Sequence, residues 1–211
     1  MIPVLSWREV VREAAPLHYL RKPSGVGGAR ACVGEGGPGE RQEAWLKSAL
    51  RLWYCTERGA EPCGTCGPCR AIASDVFPGI VWVRSSGGKE IGIDEVRKMR
   101  EFLSWKGIPG EKRVVGVAGA ERLSGEAAQA LLKVLEEPPA ETWFFLLTPS
   151  PFSLPATIRS RCLSLSFSAR PGWWRMAEEK LSPEASAERL WGLTAPSEGG
   201  SPAEREWWKR L

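Results

Sequence analysis

The chain has 211 residues, 43% of them hydrophobic, with 29 basic side chains against 25 acidic and a formal net charge of +4. That is enough for one good-sized domain, or one with part of a second, around a proper core. It excludes low-complexity disorder, and the charge is too mild to argue for nucleic-acid binding by itself. No apolar run approaches the ~20 residues of a membrane span, and Arg8 and Glu9 interrupt any leader-like core near the start. These features predict a soluble, cytosolic protein with no membrane partner, whose six cysteines are metal ligands or core residues before they are disulfides. The only histidine, His18, is read as structural.

In chain order, strand-like apolar runs alternate with segments of helical periodicity, the pattern of an α/β fold with a parallel sheet covered by helices. Ala31-Cys32-Val33 is a short apolar run leading into a glycine-rich turn, after which Leu46, Ala49, Leu50 and Trp53 share one helical face. Ile80 to Val83 reads as a strand, and a helix from about Asp94 carries Val96, Met99, Arg100 and Leu103 at helical spacing. Val114 to Ala118 is a second buried strand. Ser124 is placed to cap the next helix, with Glu126 in its first turn and Ala127, Ala130, Leu131, Val134 and Leu135 along its stripe. Pro138-Pro139 stops that helix, since proline cannot donate the next hydrogen bond. Thr142 to Thr148 is a continuous hydrophobic run, as expected of a strand covered on both faces. Beyond Ser168 the composition turns to Trp, Glu, Ser and Pro. There Ala177 to Trp191 is weakly helical, Thr194 to Pro202 reads as a loop, and Ser201-Pro202-Ala203-Glu204 opens another helix.

Two segments carry chemistry. Cys55, Cys63, Cys66 and Cys69 have the spacing C-x7-C-x2-C-x2-C, with Gly64 and Gly67 between them. Four thiolates at this spacing suit a tetrahedral zinc ion of the structural kind, because no position is left open for a water nucleophile. An iron–sulfur cluster would use the same ligands, and ordinary free or buried thiols are the plainest alternative. Cys32 and Cys162 are read as small core residues.

The other segment, Gly34-Glu35-Gly36-Gly37-Pro38-Gly39-Glu40-Arg41, has the glycine frame of a phosphate-binding loop between a strand and a helix. A working loop ends in Gly-Lys-Ser/Thr, the lysine reaching the β- and γ-phosphates and the hydroxyl holding magnesium. Glu40 and Arg41 stand in those places. At ~4 Å and an effective dielectric of about 20 a unit charge pair is worth about 4 kcal/mol, and Glu40 gives that interaction the wrong sign. Magnesium's second usual anchor, an acid at the end of a neighbouring strand, is replaced by Gly119-Ala120.

Ala130-Leu131-Leu132-Lys133-Val134-Leu135-Glu136-Glu137-Pro138-Pro139, Glu141-Thr142-Trp143-Phe144-Phe145, Ser160-Arg161-Cys162, and before them along the chain the four cysteines and the segment Ile91 to Arg97, resemble the AAA+ subunits of bacterial sliding-clamp loaders. The resemblance covers residues 30–168. It implies an AAA+ P-loop-type parallel sheet flanked by helices over residues 1–168, with a zinc loop inserted at 55–69 and a partial helical lid at 169–211. The helical collar domain usual in the family is not expected here. Within the family, Glu40, Arg41, Gly119 and Ala120 match the members that do not hydrolyse ATP, so no ATP is expected and the chain is not expected to be an enzyme on its own. Thr148 falls at the family's sensor position. Arg161 matches the arginine that enters the ATP site of an adjacent subunit in trans; the plainer alternative is a surface arginine paired with a carboxylate. The implied partners are gamma/tau and delta loader subunits and, indirectly, the beta clamp and primed DNA. Two rival readings are a regulated ATP-binding switch, which predicts tight Mg-ATP binding, and a zinc-dependent nucleic-acid-binding module, which predicts metal-dependent and salt-sensitive DNA affinity.

Overall fold

A computed structural model describes Val10 and residues 30–57, 61–105 and 112–167. His18, the expected lid at 169–211 and the helices expected beyond Ser168 lie outside the described residues.

Five parallel strands form one sheet, β1 (Ala31–Glu35), β2 (Ile80–Arg84), β3 (Arg113–Ala118), β4 (Thr142–Leu147) and β5 (Leu163–Ser166), in the order β2-β3-β4-β1-β5. The helices between them are α1 (Gly39–Tyr54), α2 (Gly67–Ala73), α3 (Ile93–Ser104), α4 (Gly125–Glu136) and the single turn α5 (Ala156–Arg159). All six residues of β4 are buried, as its unbroken apolar run requires of a central strand.

Strand alternation sends the two sets of side chains into two cores. Val33, Val115, Val117, Phe144 and Leu146 meet Val96, Met99 and Leu103 of α3 and Ala127, Leu131 and Leu135 of α4 on one face. Cys32, Val114, Trp143, Phe145 and Leu147 meet Trp45, Leu46, Ala49 and Leu50 of α1 on the other. Arg100, on the outer side of α3, is exposed and takes no part in the apolar stripe.

Local signals behave as their chemistry dictates. Ser124 accepts from the Ala127 amide at 3.1 Å and caps α4. Gly92 heads α3, its own amide bonded to the Glu95 carboxylate at 3.1 Å. Gly116 is required by packing, since a Cβ there would stand 2.4 Å from the Trp82 ring. Three described elements go beyond the sequence reading: α2, α5 and the edge strand β5, each short.

Because every strand runs the same way, the sheet has one edge of strand starts and one of strand ends. The site residues divide between the two.

Candidate functional site

At the strand-end edge, the parallel register brings together Gly34, Thr148 and Gly119. The Thr148 amide donates to Gly34 O at 3.1 Å, and the Gly119 amide to Leu147 O at 3.1 Å. The glycine loop follows β1 with Gly36 at φ +83° and Gly37 at φ +70°, left-handed conformations that suit glycine. A Cβ on Gly36 would lie 2.7 Å from Phe167 O, so the end of β5 presses directly on the loop. Gly39 opens α1, and Glu40 and Arg41 are exposed on its first turn. Glu40 favours the positive end of the helix in the place where a phosphate would be repelled.

The residue that closes this loop is Gln42. It is 1% exposed, and its Nε2 donates both to Gly36 O at 2.7 Å and to Thr148 O at 2.9 Å. The loop is thereby tied across to the end of β4. The Thr148 hydroxyl is engaged too, donating to Ser150 O at 3.0 Å and accepting from the Ser150 amide at 3.2 Å. Gln42 Oε1, by contrast, is buried with no hydrogen-bond partner among the described residues.

The four cysteines gather where α1 ends and α2 begins. Cys55 is the C-cap of α1, Cys66 the N-cap of α2, and Cys69 lies buried in its first turn. Their sulfurs all lie within 4.8 Å of one another, close to the ~3.8 Å edges of a tetrahedron with metal–sulfur bonds of about 2.3 Å. The Cys63 amide donates to Cys55 Sγ and the Cys66 amide to Cys63 Sγ, both at 3.3 Å, and such bonds favour thiolate. The Cys66 thiol is lowered to about 6, first by the Thr56 amide and then by that of Cys69. Cys63 is lowered chiefly by the Cys66 amide. Burial, then the Cys66 sulfur, raises Cys69 to about 12. Set and spacing fit one soft metal ion, whose charge would hold all four as thiolates.

A buried charge network anchors this module to the sheet. The Lys47 side chain is fully buried, with Nζ 2.8 Å from the Asp75 carboxylate and 4.0 Å from that of Glu43. Arg84, at the end of β2, pairs with Glu43 and lies 3.2 Å from Asp75. Asp75 follows α2 at φ +60°, a conformation that Asp tolerates better than most residues.

At the opposite, strand-start edge stands Arg161. It donates through Nη1 to Thr157 O at 2.9 Å and through Nη2 to Glu136 Oε1 at 2.7 Å. Burial pushes the neighbouring Cys162 thiol up to about 12, in keeping with a core role. Arg161 therefore lies apart from the glycine loop and from the cysteines.

The sequence reading had missed Gln42, the Lys47 network and the Glu136 partner. Only Glu43 and Lys47, four apart on one helix, carried a readable sign.

A five-stranded parallel sheet flanked by helices, with a glycine-rich loop after β1 and a four-thiol cluster, is an AAA+ fold. The family described as "DNA polymerase III, delta subunit" matches residues 29–171. The DNA polymerase III subunit delta' of Escherichia coli is 38% identical over 79% of this chain and 51% of its own length. That of Pseudomonas aeruginosa is 34% identical over 93% and 57%. The chain belongs to the DNA polymerase III delta' subunit family, and it spans about half the length of these relatives. A gamma subunit-related protein of DNA polymerase III from Thermotoga maritima shares the fold, with a TM-score of 0.50 and 20% identity over 92% of this chain and 70% of that one.

Proposed function

We propose that this chain is a non-hydrolysing, delta'-type subunit of a sliding-clamp loader, which supplies Arg161 to the ATP site of a neighbouring subunit. The observation that supports this most directly is Gln42, whose amide ties Gly36 O to Thr148 O across the loop. With Glu40 in the lysine place and Gly119-Ala120 in place of an acid, the chain lacks the charges that would hold Mg-ATP. A guanidinium is permanently charged and forks onto phosphate oxygens, so an arginine on the other edge can stabilise charge developing on a neighbour's γ-phosphate.

In this reading Cys55, Cys63, Cys66 and Cys69 hold a zinc ion. A closed four-thiolate set supplies folding energy rather than a nucleophile. The partners are gamma/tau and delta subunits and, through them, the beta clamp and primed DNA.

The test is ATP turnover by gamma/tau and delta subunits on primed DNA, with and without this chain. The reading expects stimulation on addition and no hydrolysis by the chain alone. Turnover by the purified chain, or tight Mg-ATP binding in calorimetry, would favour the ATP-switch reading instead. Zinc-dependent DNA affinity of the chain alone would favour the nucleic-acid module.

A further inference from the structure

The strand-start edge carries a second arginine. β1 and β5 are neighbours in the sheet, so Arg30, just before β1, and Arg161, just before β5, come to the same stretch of that edge. Both line a cleft of about 500 Å³, floored by Leu135 and Phe144 and shared with Glu136.

The two guanidiniums are held differently. Arg161 is paired with Glu136. Arg30 sits 5.9 Å from the centre of the Trp143 ring and donates a long 3.4 Å bond to Pro139 O, and among the described residues no carboxylate lies within ion-pair distance of it. A ring face and a carbonyl orient a cation without neutralising it. The cleft is thus lined by two arginines and one carboxylate. Its excess charge calls for an anion, and planar forks of N–H donors suit phosphate oxygens.

We propose that Arg30 is a second phosphate-binding residue, which engages together with Arg161 the phosphate chain of the nucleoside triphosphate held by the adjoining subunit. This rests on the reading of Arg161 as acting in trans. Glu136 then holds Arg161 in place until the phosphates arrive, and Arg30 supplies the charge that Glu136 offsets.

The experiment measures kcat and KM for Mg-ATP in the loader assembled from gamma/tau, delta and this chain on primed DNA, at saturating chain. Arg30→Gln, Arg30→Leu, Arg30→Lys and Arg161→Ala are compared, with melting curves for each. Arg30→Leu keeps apolar contact with Trp143 and removes only the charge. Both neutral variants are expected to lower kcat by roughly a hundredfold to a thousandfold, as does loss of one donor from a preorganised anion site, with Arg30→Lys in between. Wild-type kcat in Arg30→Leu, beside a collapse in Arg161→Ala, would overturn the proposal and leave the trans-arginine reading standing. A loss cured by raising the chain's concentration would mark a docking contact and overturn it as well. Full activity in Arg161→Ala would remove the reading on which it depends.

Discussion

The two edges of the sheet differ in how their polar groups are satisfied. At the strand-end edge the chain answers itself: Gln42 bonds Gly36 and Thr148, Thr148 bonds Ser150, and Phe167 O abuts Gly36. At the strand-start edge Arg161 is held by one exposed carboxylate and one carbonyl, and Arg30 by a ring face and a distant carbonyl. At one edge a buried glutamine ties the glycine loop to the neighbouring strand, while two arginines line the other edge. Loss of the chemistry need not mean loss of the fold, because the sheet's stability comes from the two apolar cores rather than from the loop.

The comparison can be broken first through the metal. Chelation, or Cys69→Ser, is expected to have the largest effect on stability, since structural zinc contributes apparent free energies of about 10–16 kcal/mol in small zinc domains. Loss of helical circular dichroism and release of zinc to a chromogenic chelator would register it, and unchanged melting after complete removal would contradict a structural role. Next is the buried network. Lys47→Ala leaves Glu43 and Asp75 sharing Arg84 and should cost about 3–5 kcal/mol, read in urea unfolding.

Within the closed edge, Gln42→Ala removes two donors from buried carbonyls and should cost about 1–3 kcal/mol in the same assay. At the open edge, Glu136→Gln deletes an exposed ion pair and should change stability by under about 1 kcal/mol. The smallest expected effect is none. Glu40→Lys with Arg41→Thr restores the missing side chains yet should yield no Mg-ATP binding in calorimetry, because Gln42 still ties Gly36 to Thr148 and holds the loop in its present shape. Recovery of binding by those two changes alone would show that charge, not the Gln42 tie, closed the site.

Much of this was legible in the residues. The run from Thr142 to Leu147 announced a strand buried on both faces, Ser124 announced a helix start, and the cysteine spacing announced four sulfurs around one point. Glu40, Arg41 and Gly119 were readable as departures from a working phosphate loop and its acidic partner. The closure itself was not readable, because Gln42 acts on Thr148, 106 positions away, and no local pattern marks that meeting. Glu43 and Lys47 stand four residues apart on one helix, a spacing equally common on solvated faces. They are buried because Asp75 and Arg84 arrive from other elements to satisfy them. α2 escaped notice because glycine and cysteine are poor helix formers, and its seven residues are held by the cysteine module and α1.

The central claim is that the open edge works on a neighbour's nucleotide. Its most direct test is ATP turnover by the assembled loader with wild-type chain or Arg161→Ala. The account predicts that the variant joins the complex with normal affinity while stimulated kcat falls by at least about 10³-fold, the lower range for arginines that act in trans on phosphoryl transfer. Equal turnover with either chain, in complexes shown to be intact, would contradict it.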